Sequence, residues 1–127
     1  MQEKQLFEYA VIRIVPCVER EEFINAGVVL YCASQKFLQA IIGLNEDRLK
    51  ALCTETDIEE VKKRLNAFKD IASGLKTAGP IAVLPIASRF RWLTAVRSTI
   101  VQTSVVHPGL LDDAETTLHK LYKQMVQ

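Results

Sequence analysis

At 127 residues the chain has the length of one ordinary domain, enough to bury a core that folds without disulfide or metal staples. Hydrophobic residues make up 49% and charged residues 24%, which excludes disorder as the main state. The net charge of +1 gives no bulk pull toward nucleic acid or any other class of partner.

The first residues, Met1 to Gln5, lack the basic start and long apolar run of a secretory signal, and the apolar run Tyr9 to Val15 is broken by Arg13. No apolar run approaches the roughly 18 residues of a membrane span. These features predict a cytoplasmic protein. Cys17, Cys32 and Cys53 are odd in number, distant in sequence and form no C-x-x-C pair. They are expected to be reduced, mostly buried thiols rather than a disulfide framework or zinc site, and no metal or cofactor is predicted.

Taken in chain order, Leu6 to Cys17 reads as a strand, rich in β-branched and aromatic residues. Phe7, Tyr9, Val11, Arg13 and Val15 share one face, and Ala10, Ile12 and Ile14 the other. Both faces are mostly apolar, which predicts a strand covered on both sides. Glu19 to Glu22 is a charged turn. Ile24 to Cys32 and Lys36 to Ile42 read as two strands joined through Ala33-Ser34-Gln35. Gly27 near the start of the second suggests a bulge or close backbone approach.

Asn45 is placed to cap a short helix through Leu52, and Asp57 with Glu60 resembles a capping box. Behind it Ile58, Val61, Leu65, Phe68, Ile71, Ala72 and Leu75 recur at helical spacing, predicting a helix that stops near Gly79-Pro80. Ile81 to Ile86, with Pro85, reads as an edge strand or extended loop, and Ser88 to Thr94 as a short helix or loop. Ser98 to Val106 reads as the last strand and His107-Pro108-Gly109 as a turn. Asp112 is expected to cap a final helix that buries Ala114, Leu118, Leu121, Tyr122 and Met125, with His119 on its surface. The expectation is a single α+β domain with an antiparallel or mixed sheet of about four strands and helices packed mainly on one side.

The clearest local signal is an absence. From Ile71 to Leu111 there is no Asp or Glu, while Lys76, Arg89, Arg91 and Arg97 are present, so the rest of the chain carries −3. Arginine offers a planar donor fork to phosphate or carboxylate. The simpler reading pairs these arginines with helix carboxylates such as Glu59 or Asp112. The run Arg97 to Ser104 is rich in hydroxyl and amide groups; as a strand it puts Ser98, Gln102 and Ser104 on one face and Arg97, Thr99 and Thr103 on the other. It reads either as the lining of a polar pocket or as a wet edge strand.

Arg13 interrupts an apolar strand, and a buried guanidinium costs several kcal/mol unless it is paired. Its partner would be Glu19, Glu21, Glu22 or a bound anion. His107 has no second ligating residue nearby, and a nucleophile–base pair of Ser98 or Ser104 with His107 lacks a nucleophile elbow.

Some of these residues carry a resemblance. Phe7-Glu-Tyr-Ala-Val-Ile-Arg13-Ile-Val-Pro16, followed by Glu22-Phe-Ile-Asn25-Ala-Gly27-Val-Val-Leu30, resembles the opening of the bacterial Domain of Unknown Function 3037 family. Arg89-Phe-Arg-Trp92-Leu-Thr-Ala-Val-Arg97-Ser-Thr99, then Gln102-Thr-Ser104 and His107-Pro-Gly109, resembles its second signature. Ala26 stands where that family often has a small aliphatic residue such as Val. The family has no established activity; the resemblance implies an accessory role beside a HipA-like kinase. Its signatures hold Arg13, Asn25, Arg97, Gln102 and His107, which the physical reading also selects.

Two functions follow as expectations. One is a non-catalytic binding or regulatory module that engages an anionic, phosphate-bearing ligand or a HipA-like kinase. The other is a small metal-independent enzyme acting on a phosphate ester, with arginine clamps and His107 as acid or base. The expected ligand-binding residues are Arg13, Asn25, Arg89, Arg91, Arg97, Ser98, Gln102, Ser104 and His107. Arg97 is expected to meet Gln102 or Ser98 in a site that also receives Arg13 or Asn25.

Overall fold

A computed structural model describes residues 3–127. Strand β1 (Gln5–Ile14) lies at the centre of an antiparallel sheet. On one edge it pairs with β2 (Ile24–Cys32), which pairs with β3 (Phe37–Ile42). On its other edge lie β4 (Val101–Thr103) and β5 (His107–Leu111), which pair with successive stretches of β1. Four helices complete the α+β fold: α1 (Glu46–Leu52), α2 (Ile58–Ser73), α3 (Ile86–Thr94) and α4 (Ala114–Met125). Among the described residues no helix is long and apolar enough to cross a membrane.

The alternation along β1 divides the core in two. Ala10, Ile12 and Ile14 face Leu49 of α1, Val61, Leu65, Phe68 and Ala72 of α2, and Phe90 and Leu93 of α3. We call this the inner face. Phe7 points the other way, with Val28, Leu30 and Cys32 of β2, and meets Ala114 and Leu118 of α4. Three helices thus lie on one side, as the sequence suggests, while α4 covers the opposite, outer face over β2 and β3. Each large aliphatic side chain so buried contributes about 1.5–3 kcal/mol.

A bulge breaks the β1–β2 ladder where Gly27 predicts one. Gly27 opposes Ile12 and Asn25 opposes Arg13, so Ala26 is the extra residue. A Cβ on Gly27 would sit 2.5 Å from the Ile41 carbonyl oxygen, so β3 can approach only a glycine here.

Several boundaries differ from expectation for identifiable reasons. Helix α2 ends at Ser73 rather than near Gly79, because Gly74 takes a left-handed conformation (φ 77°) and its N–H closes on the last turn. Apolar spacing continues to Leu75, but that side chain is exposed. Ile81 to Ile86 is neither strand nor extended loop. Pro80–Val83 forms a 3-10 turn, and Pro85 leads into α3. The expected strand Ser98 to Val106 is regular only over Val101–Thr103, and His107-Pro108-Gly109 is strand rather than turn. Proline is tolerated there because β5 is an edge strand. Asp113, not Asp112, caps α4, accepting from the Thr116 N–H at 2.9 Å.

Candidate functional site on the outer face of β1

β4 and β5 are one interrupted strand, and the register to β1 slips by one residue between them. Ser104 bridges the interruption. Its N–H donates to the Val11 carbonyl, and its hydroxyl accepts from the Val11 N–H, both at 2.9 Å. A side-chain oxygen thus replaces the backbone acceptor that the slip removes. Ser104 is buried, and its hydroxyl also donates to the Val105 carbonyl. It holds the edge together rather than lining a pocket.

The two ladders place three polar side chains in one row. Arg13 stands opposite Asn25 of β2 on one side and opposite Gln102 of β4 on the other. Directly opposed residues of antiparallel strands project from the same face, here the outer one. The bulge at Ala26 sets Asn25 against Arg13, and the slip beyond Thr103 sets Gln102 there without moving His107 off the face. Asn25 donates its amide N–H to the Met125 carbonyl at 2.9 Å, which ties the row to the C-terminal end of α4. Gln102 donates to the Thr99 carbonyl at 2.7 Å.

Arg13 is half-buried and lies 4.1 Å over the centroid of the Phe23 ring. Such a cation–π contact contributes about 0.5–2 kcal/mol, depending on desolvation. The chain returns to Phe23 through a 3-10 turn at Val18–Arg20 and Glu21, which takes a left-handed conformation. None of the expected carboxylates reaches Arg13, and Glu22 pairs with Arg20 instead. The Arg13 side chain makes no ion pair or hydrogen bond among the described residues. Its Nε is buried without an acceptor, and Asn25 Oδ1 is buried without a donor. The two orphans are cross-strand neighbours that do not satisfy one another, although buried polar atoms normally find partners.

Two residues along the same face from Arg13 lies Val11, and two further lies Tyr9. His107 of β5 opposes Tyr9, with ring centroids 5.3 Å apart. Helix α4 packs on β2 and β3, leaving Tyr9 half-buried and His107 exposed.

The other nominated residues lie apart from this row. Arg89 donates to the Leu84 carbonyl at 2.9 Å and to those of Ala82 and Ala72 at 3.4 Å. Ala72 lies in the last turn of α2, where a cation is favoured, and Ala82 and Leu84 lie in and just after the 3-10 turn. Arg91 is exposed on α3, near Glu8, Tyr31 and Val106 at the inner side of the sheet. Arg97 donates to the Trp92 carbonyl and stacks 4.0 Å over the Trp92 ring. Ser98 is exposed in the loop before β4. The carboxylate-free stretch is therefore dispersed, and Arg97 does not join Gln102. Glu59 pairs with Lys62, so the arginines are not held by helix carboxylates either. A surface cleft of about 690 Å³ lies between the start of α1 and the end of α4 and contains none of these residues.

The model of the family described as "Protein of unknown function (DUF3037)" matches residues 9–126. The chain belongs to the DUF3037 family. No curated protein and no solved structure matches it. The match spans every strand of this DUF3037 domain in whole or part, and takes in the whole Asn25–Arg13–Gln102 row.

Tyr9 and Phe23 complete the surroundings of the row, and sequence reasoning did not nominate them. The parity of Tyr9 with Arg13 along β1 was a usable signal. The contact of Phe23 was not legible, because it depends on how the turn returns the chain.

Proposed function

We propose that this DUF3037 domain is a non-catalytic binding module that takes an anionic group, carboxylate or phosphate, on Arg13 with Asn25 and Gln102 beside it. The observation that carries the reading is the unpaired Arg13 guanidinium. It is held in place by Phe23, with a buried Nε that has no acceptor. An anionic oxygen would accept from that donor, and a charge-assisted hydrogen bond of this kind contributes roughly 1.5–3 kcal/mol. The neighbouring orphan, Asn25 Oδ1, favours a ligand that also brings a hydroxyl or N–H.

The geometry favours binding over phosphate-ester chemistry. A phosphotransfer or hydrolytic site needs its acid or base within hydrogen-bond reach of the group that arginine clamps. His107 stands opposite Tyr9, four residues along β1 from Arg13, which is about 13 Å at the rise of a strand. A HipA-like kinase is the partner suggested by the family resemblance, and an acidic or phosphorylated side chain on it has the chemistry this row would take.

Isothermal titration with inorganic phosphate tests the reading. Wild type should bind saturably and more weakly as salt rises. Arg13→Gln, shown by circular dichroism to be folded, should lose about tenfold or more in affinity, while Arg97→Gln should bind like wild type. Absence of binding by wild type, or equal binding by Arg13→Gln, would overturn it. For the protein partner, co-expression and size-exclusion chromatography should show co-elution with the kinase that Arg13→Gln weakens. Separate elution at micromolar concentration would remove the kinase from the proposal.

A further inference from the structure

Away from the Arg13 row, two cysteines distant in sequence meet in space. Cys17 follows Pro16 at the exit of β1, immediately before the turn at Val18–Arg20, and Cys53 is the C-terminal cap of α1. Both are free and half-buried, and their sulfurs lie 3.2 Å apart across 36 residues of chain. The third thiol, Cys32, is fully buried between the Leu6 carbonyl and the Ser34 hydroxyl, each at 3.5 Å. Among the described residues no third His, Cys, Asp or Glu joins a group that could hold a metal ion. The pair therefore lacks the ligand number of a structural zinc site.

We propose that Cys17 and Cys53 are a reversible redox pair that a small-molecule disulfide oxidises to an intramolecular bond. In the first step the Cys53 thiolate attacks one sulfur of the small disulfide. That S–S bond breaks, a mixed disulfide forms on Cys53, and one small thiolate leaves and takes up a proton. In the second step Cys17 gives up its proton and attacks the Cys53 sulfur, expelling the second small thiol. Two protein thiols are oxidised and one small disulfide is reduced to two thiols.

The geometry needs little change. A disulfide has an S–S length of about 2.05 Å, so the sulfurs must close by roughly 1 Å. The order of attack follows from the surroundings of each sulfur. Cys53 is held below the ordinary thiol value by the Thr56 hydroxyl, then by the Cys17 thiol and the Glu55 backbone. Cys17 is pushed up by its hydrogen bond to Cys53 and by burial. The more acidic thiol is the better supplied with thiolate, which is the nucleophile. Closing the bond would clamp the β1–β2 connection to the end of α1. This inference does not rest on the anion-binding reading.

The full chain should be equilibrated in glutathione redox buffers, acid-quenched, alkylated and mapped by mass spectrometry. The expected result is one linked peptide pair, Cys17 with Cys53, formed while Cys32 remains a thiol. The oxidised form should melt several degrees higher than the reduced form, since the bond closes a long loop of the unfolded chain. Cys17→Ser should accumulate a glutathione adduct on Cys53, which then has no resolving thiol, whereas Cys53→Ser should react more slowly at Cys17. A pair that stays as two thiols across the buffer range would overturn the proposal. So would separate adducts on both wild-type cysteines, or a link that recruits Cys32.

Discussion

The two faces of β1 do different work. On the inner face Ala10, Ile12 and Ile14 are all fully buried, each covered by helices. On the outer face α4 covers β2 and β3, and beyond it β1 carries Tyr9, Val11 and Arg13 beside an interrupted edge strand. The first face supplies the stability that allows the second to keep an arginine without an ion pair and two buried polar atoms without partners. A row of orphans costs stability, and it persists because the opposite face is continuous.

The largest effect should come from breaking the inner face. Ile12→Ala removes a fully buried side chain and should cost about 2–5 kcal/mol, read as a lower urea midpoint with an unchanged slope. A cost below about 1 kcal/mol would mean that the inner face is not the main source of stability. Next comes the edge seam. Ser104→Ala leaves the buried Val11 N–H without its acceptor and should cost about 1–3 kcal/mol. If the variant is as stable as wild type, the hydroxyl is not the bridge described here. Arg13→Gln should change stability by less than about 1 kcal/mol while weakening phosphate binding. A large stability loss would instead make Arg13 a structural residue.

The smallest effect lies at the N-terminal cap of α4, the helix that covers half the outer face. Asp113 is held below the ordinary carboxylate value by the Thr116 hydroxyl and then by its N–H. A carboxylate with a lowered folded-state value stabilises the fold above its unfolded value of about 4, and that contribution is lost as pH falls through the lower folded value. Asp113→Asn keeps a capping side chain, and its melting temperature should fall less than that of wild type between about pH 4 and pH 2. Parallel curves for the two proteins would show that Asp113 does not carry this term.

Much of the sheet was legible because it follows from alternation. β2 falls on Ile24–Cys32 as read, and the inner set of β1 follows from parity alone. The caps at Asn45 and Asp57 were legible too, since each side-chain oxygen accepts from an N–H three residues on. The interrupted strand was not, because Pro108 and Gly109 are turn-forming residues wherever no partner strand is known, and only pairing with β1 makes β5 extended. Within the candidate site, Arg13, Asn25 and Gln102 were found by their chemistry. Their alignment was hidden, since it depends on two register shifts, one at Ala26 and one beyond Thr103. Arg89 and Arg97 carried the same chemical signal, but the carbonyls of Leu84, Ala82 and Ala72 claim the first and that of Trp92 the second. The contact between Cys17 and Cys53 had no sequence signature at all.

The most direct measurement is NMR observation of the arginine Nε–H resonances during a phosphate titration. The Arg13 Nε–H has no acceptor in the free protein, so it should shift progressively and saturably, and its exchange with solvent should slow as the anion occupies the row. The Arg97 Nε–H should not move, since its guanidinium stacks on the Trp92 ring and donates from Nη2 to the Trp92 carbonyl. An unmoved Arg13 resonance, or a saturable shift at Arg91 or Arg97 in its place, would contradict the assignment of the site to the outer face of β1.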